Sequence, residues 1–245
     1  MRKYGLIGYP LLHSHSKVYF NRKFVSESID AEYVNFEISS IGKIRQILTN
    51  NKDLCGLNVT IPYKEQVIPY CHSLATAKLV GAVNVIKFDR SGKKLRLIGY
   101  NTDVIGFQES IGPLLKSHHV KALILGTGGA AKAVCYGLAG FGIYSKFVSR
   151  SKKENYMTYS ELSPEVIKEY SIIVNTTPMG MYPNSNEAPP IPYRFVTDQH
   201  LLYDLTYNPV ITQFMRLGIM QGAFVKNGEE MFKLQALHTW NIWNG

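Results

Sequence analysis

Lys121-Ala122-Leu123-Ile124-Leu125-Gly126-Thr127-Gly128-Gly129-Ala130-Ala131 decides the fold of the second half of this 245-residue chain. Lys121–Leu125 is a nearly unbroken apolar run of strand length, as a strand buried on both faces requires. Gly126-x-Gly128-x-x-Ala131 follows at once, and Lys132 to Gly140 continues as a helix of small residues. A glycine lets the chain turn sharply after the strand, and a missing side chain lets the backbone approach a pyrophosphate. The helix N-terminus then offers unpaired N–H groups and a partial positive charge. Glycines also serve ordinary tight turns, so the motif draws its meaning from the strand before it and the helix after it. Gly126, Thr127, Gly128, Gly129 and Ala130 are therefore candidate cofactor-binding residues.

The next strand, Lys146-Phe147-Val148-Ser149-Arg150, selects the nucleotide. NAD sites place an acidic residue roughly 20 residues beyond the first glycine, where it bonds the ribose 2′-hydroxyl. Arg150 stands there instead, 24 positions after Gly126. A guanidinium grips a 2′-phosphate that a carboxylate would repel, so the expected cofactor is NADP rather than NAD. Further outward, Ser171–Val174, Leu201–Asp204 and Ala223–Val225 supply short β-runs with helical stretches between them. That alternation builds a parallel sheet wound on both faces. Residues 182–193, rich in proline, read as a loop. Glu229–Trp243 reads as a final helix.

Before residue 102 the pattern is α/β again. Strands are expected at Tyr4–Ile7, Tyr33–Ile38, Gly56–Ile61 and Val83–Phe88, with Leu95–Tyr100 as a hairpin partner and a helix over Lys17–Ser28. Hydrophobic residues make up 45% and charged residues 18%, which excludes a disordered chain. Lys and Arg number 27 against 18 Asp and Glu, and residues 1–102 hold 15 of the basic and 7 of the acidic side chains. The excess is scattered rather than clustered, without a recognition-helix pattern or the aromatic–glycine signature of an RNA-binding sheet. It therefore reads as a solvated surface, with attraction of a small anionic substrate as the alternative, and nucleic acid is not expected as a partner. Three dispersed cysteines suit a reducing compartment. The apolar run before Pro10 is too short for a signal-peptide core, and no stretch resembles a membrane span. The expectation is a soluble cytoplasmic protein, monomer or homodimer. His13 and His15 lack an apparent third ligand, so no metal is expected.

Several short motifs remain, in order: Gly8-Tyr9-Pro10 with His13-Ser14-His15-Ser16, Asn58-Val59-Thr60-Ile61-Pro62-Tyr63-Lys64, Gly81-Ala82-Val83-Asn84, Gly99-Tyr100-Asn101-Thr102-Asp103, Asn175-Thr176-Thr177-Pro178-Met179-Gly180-Met181, Asp204-Leu205-Thr206-Tyr207-Asn208-Pro209, and Gly228 followed by Gln235-Ala236. Together they resemble the shikimate dehydrogenase family over nearly the whole chain. Two departures stand out. Lys17 occupies a position where the family usually has proline, which bears on the entry to the first helix, and Ser149-Arg150-Ser151 replaces the more usual Asn-Arg-Thr.

The resemblance implies NADPH-dependent, reversible reduction of 3-dehydroshikimate to shikimate, in aromatic amino-acid biosynthesis. It implies that Lys64 and Asp103 are catalytic, with either Lys64 or the pair exchanging the proton at the carbonyl oxygen. It implies substrate contacts at Ser14, Ser16, Thr60, Asn84, Gln235 and Tyr207, the two serines taking the carboxylate. An extended chain would put both serine hydroxyls on one side. Thr176, Met179 and Gly228 join Arg150 and the glycine turn as cofactor contacts. The expected fold is α/β with two domains and a cleft between them: an open α/β substrate domain, 1–102, with a helix at 228–245 packing back on it, and a Rossmann-like doubly wound nucleotide-binding domain, 103–227. Hydride transfer needs reacting atoms about 3–3.5 Å apart, so some domain closure is expected. Two other readings are a quinate or related polyol-acid dehydrogenase and a non-catalytic, nucleotide-responsive binding protein of the same fold.

Overall fold

The computed structural model describes residues 1–11 and 15–245. Ser14 and His13 therefore lie outside the described residues. The chain divides into two compact units: Met1–Thr102 with Ala236–Gly245, and Asp103–Gln235.

The first unit runs β1 (Arg2–Gly8), α1 (His15–Ser26), β2 (Ala31–Glu37), α2 (Ile44–Asn50), β3 (Leu54–Val59), β4 (Ser73–Leu74), α3 (Ala77–Val80), β5 (Val85–Asp89) and β6 (Arg96–Tyr100). Its six strands form one sheet in the order β2-β1-β3-β5-β6-β4. β1 is parallel to β2 and to β3, while β3, β5 and β6 pair antiparallel. Alternation along the strands fills two cores, one on each face. Ile7, Leu57, Val59 and Ile86 point to one face, and Tyr4, Leu6, Tyr33 and Val85 to the other.

The second unit runs α4 (Asp103–Ile111), β7 (Lys121–Leu125), α5 (Gly129–Ala139), β8 (Tyr144–Ser149), β9 (Met157–Thr158), α6 (Pro164–Glu169), β10 (Ile172–Asn175), β11 (Leu201–Asp204), α7 (Gln213–Ile219) and β12 (Phe224–Lys226). It ends in the first half of α8 (Glu229–Asn244). Every pairing in its sheet is parallel, in the order β12-β11-β10-β7-β8-β9. Numbered from β7, that order is 3-2-1-4-5-6, the doubly wound dinucleotide-binding arrangement. Both faces are buried: Ala122, Ile124, Ile172, Val174, Leu201 and Tyr203 fill one core, and Leu123, Leu125, Ile173 and Leu202 the other.

The boundary expected at residue 228 falls at 236 in the structure. Met231 packs in the core of the second unit, whereas Ala236 and Trp243 pack with Tyr4, Phe20 and Tyr33 in the first. The helical period locates an apolar face without saying which core receives it. At the far end of α8 the Trp243 ring stacks on Tyr4 with centroids 4.7 Å apart, and its Nε1 donates to the Ile86 carbonyl at 3.1 Å. Gly56 makes room for this, since a Cβ there would lie 2.3 Å from Trp243 Nε1. Among the described residues no helix is long and apolar enough to cross a membrane.

Candidate active site

In the second unit the strand order reverses between β7 and β10, and in such sheets the ligand crevice opens at the carboxyl ends beside that reversal. Gly126 turns the chain there with φ +112°, a conformation that disfavours a side chain. A Cβ would also lie 2.6 Å from Thr176 Oγ1. Thr176 is held against the turn by its own backbone N and its Oγ1, both of which donate to the Leu125 carbonyl, at 3.0 and 2.7 Å.

Gly128 caps α5 in an extended conformation, and no side chain caps the helix. A side chain added at Gly128 would meet open space. The first-turn N–H groups of α5, from Gly129 and Ala130 onward, are left without a side-chain cap, as an anion-binding helix start requires. Arg150 is exposed one residue past the end of β8. The donor set suits a dinucleotide.

Two further turns flank this crevice. Asn175, at the end of β10, shapes the 175–181 turn: its Oδ1 accepts from Thr177 N at 3.0 Å and from Thr177 Oγ1 at 2.7 Å, and its Nδ2 donates to the Met179 carbonyl at 3.2 Å. Tyr207, in the turn after β11, stacks on Phe232 with centroids 5.1 Å apart. Burial pushes the Tyr207 phenol well above its ordinary range, so it stays a neutral donor. Gly228 is buried and donates its N–H to the Thr206 carbonyl at 3.2 Å. Gln235 Nε2 donates to the Phe232 carbonyl at 3.0 Å. Asp103, the first residue of α4, is 6% exposed.

In the first unit, Ser16, Thr60, Lys64 and Asn84 gather around the ends of β1 and β3 and the start of β5. Thr60 N donates to the Ile7 carbonyl at 2.9 Å, and the Thr60 carbonyl accepts from Tyr63 N at 2.9 Å. That turn carries the half-buried Lys64, whose carbonyl accepts from Val83 N at 2.7 Å. Asn84 is fixed by Thr102: its Nδ2 donates to Thr102 Oγ1 at 3.0 Å, and its Oδ1 accepts from Thr102 N at 2.8 Å. Thr102 Oγ1 in turn lies 3.1 Å from Thr239 Oγ1.

Ser16 departs from its expected setting. It is the second residue of α1 and hydrogen-bonds the buried Tyr33 phenol, rather than lying on an extended chain. The helix runs through Lys17 without the proline that would have marked its start. Sequence reasoning also missed the polar chain beneath these residues, in which Tyr33 Oη donates to Asn58 Oδ1 at 2.8 Å and Asn58 Nδ2 donates to the Asn84 carbonyl at 3.2 Å. Its signal was Asn58 itself, an amide inside an otherwise apolar strand.

The second unit is thus built as a dinucleotide-binding domain, and the first as a mixed α/β domain with a cluster of hydroxyl, amide and amine groups. The substrate-binding-domain profile of shikimate dehydrogenases matches residues 6–86. A shikimate dehydrogenase (NADP(+)) from Carboxydothermus hydrogenoformans is 36% identical, with 98% of this chain and 91% of the relative covered. The crystal structure of the Aquifex aeolicus shikimate dehydrogenase superposes with a TM-score of 0.86 at 32% identity, covering 100% of this chain and 93% of that one. The Thermus thermophilus enzyme, solved with NADP(H) and shikimate, gives 0.86 at 25% identity, covering 100% and 94%. The chain belongs to the shikimate dehydrogenase family.

Proposed function

We propose that this protein catalyses the reversible, NADP-linked interconversion of 3-dehydroshikimate and shikimate, the reaction that serves aromatic amino-acid biosynthesis. The observation that carries the reading is the Gly126–Ala130 turn at the strand-order reversal, followed by Arg150 rather than a carboxylate at the end of β8, in a chain of this family. Gly126, Thr127, Gly128, Gly129 and Ala130 would hold the pyrophosphate, Arg150 the 2′-phosphate, and Thr176, Met179 and Gly228 the nicotinamide half. When bound, the reduced nicotinamide supplies the hydride.

The chain's own residues handle the proton and the substrate. As a ketone becomes an alcohol its oxygen gains basicity, and Lys64 is the ammonium that hydrogen-bonds that oxygen and donates to it. Asp103 orients the ammonium and accepts from a substrate hydroxyl. Ser14 and Ser16 take the carboxylate, while Thr60, Asn84, Tyr207 and Gln235 bond the ring oxygens. Buried polar groups that lose a partner are costly, so the site rejects analogues lacking a hydroxyl. The test is steady-state NADP+ reduction with shikimate and with quinate as competing substrates, and with NAD+ as competing cofactor. The highest kcat/KM is expected for shikimate with NADP+. A folded protein that prefers quinate, or turns over neither, would overturn the assignment.

A further inference from the structure

Asp204 is a carboxylate at the end of a strand whose other residues are Leu201, Leu202 and Tyr203, and it is 0% exposed. An isolated buried carboxylate is costly, so its partners state what it is for. Asp204 Oδ1 accepts from Asn175 Nδ2 at 3.1 Å and from Thr206 N at 2.9 Å, and Oδ2 accepts from Thr212 Oγ1 at 2.6 Å. Each of these donors belongs to a different structural piece. Asn175 organises the 175–181 turn, Thr206 opens the turn carrying Tyr207, and Thr212 caps α7 by accepting from Met215 N at 3.3 Å. The same two turns are sewn together by Leu205 N donating to the Asn175 carbonyl at 3.0 Å and Tyr182 N donating to the Asn208 carbonyl at 3.4 Å.

We infer that Asp204 is a positioning residue for cofactor binding: its carboxylate sets the 175–181 turn, with Thr176 and Met179, in register with the Tyr207 turn. The inference rests on the reading that the 175–181 turn holds the nicotinamide half. Asp204 touches neither Gly126–Ala130 nor Arg150 through any of these bonds, so its effect should be confined to one half of the dinucleotide.

The measurement is a pair of equilibrium titrations of the full chain, one with NADPH and one with adenosine 2′,5′-bisphosphate, which lacks the nicotinamide. For Asp204→Ala, affinity for NADPH is expected to fall about tenfold or more, the scale of a lost charge-assisted hydrogen bond. Affinity for the bisphosphate should stay at the wild-type value. Asp204→Asn keeps an acceptor for Asn175 and Thr206 and should recover most of the NADPH affinity. Thr212→Val removes one donor without emptying the strand end and should show a smaller, equally selective loss, which keeps the test available if Asp204→Ala does not fold. Wild-type affinity for NADPH in both Asp204→Ala and Thr212→Val, or equal losses for both ligands, would overturn the inference. A wild-type protein that binds the bisphosphate but gains nothing from the nicotinamide half would instead overturn the reading beneath it.

Discussion

Arg150 carries a single-residue claim on cofactor choice. It is exposed at the end of β8, in the place where a carboxylate would favour the unphosphorylated ribose. Arg150→Asp should lower the ratio of kcat/KM for NADP+ to that for NAD+ by roughly ten- to a hundredfold, the value of one charge-assisted hydrogen bond to a phosphate. An unchanged ratio would remove Arg150 from the cofactor site. Lys64 and Asp103 carry the proton claim. Lys64→Ala and Asp103→Asn should each cost about 10²–10⁴ in kcat with the melting temperature preserved, the usual range for a lost general acid or its partner. Full rates in both variants would contradict the roles given to them.

At the scale of elements, the final helix depends on aromatic packing. Trp243 stacks on Tyr4, lies 5.4 Å from the Phe20 ring by centroid, and donates to the Ile86 carbonyl. Trp243→Ala should destabilise the protein by about 3–5 kcal/mol, as measured by urea unfolding. A loss below about 1 kcal/mol would mean that the end of α8 is not part of the folding unit.

The second sheet was legible in the sequence because strands buried on both faces write themselves as apolar runs, as in Lys121–Leu125 and Leu201–Tyr203. Its two-residue edge strand β9, and β4 in the first sheet, were not, because two residues display no period. The glycine turn was legible through its spacing between strand and helix. The bonding of Asp204 and Asn58 was not legible, since a polar residue in an apolar strand announces a partner without naming it. Ser16 lies in the helix rather than on an extended chain because either serine of His13-Ser14-His15-Ser16 could cap a helix, so the sequence leaves its start open by two residues.

For the molecule as a whole, Asp204 couples stability to pH. Burial outweighs its hydrogen bonds and pushes its carboxyl up to about 6, against about 3.9 for an unperturbed aspartate. The folded state therefore binds this proton more tightly than the unfolded chain does. The stabilisation is fully present below about pH 4 and is lost as pH rises through 6, amounting to about 3 kcal/mol. Asp204→Asn lacks this titration. Urea unfolding at a series of pH values should show wild-type stability falling relative to Asp204→Asn by about that amount between pH 4 and 7.5. A constant difference would mean that the hydrogen bonds to Asp204 offset the cost of its burial and leave its carboxyl at the ordinary value.

The proposed function rests on two domains with separate tasks, a doubly wound sheet for the dinucleotide and a mixed α/β domain whose turn after β3 carries Lys64. Product identification tests that most directly: purified protein incubated with 3-dehydroshikimate and NADPH, followed by magnetic-resonance analysis of the mixture. Shikimate should form in step with each NADPH consumed, and Lys64→Ala should leave both reactants unchanged over the same interval. Oxidation of NADPH without shikimate, or no reaction by the folded wild-type protein, would contradict the account.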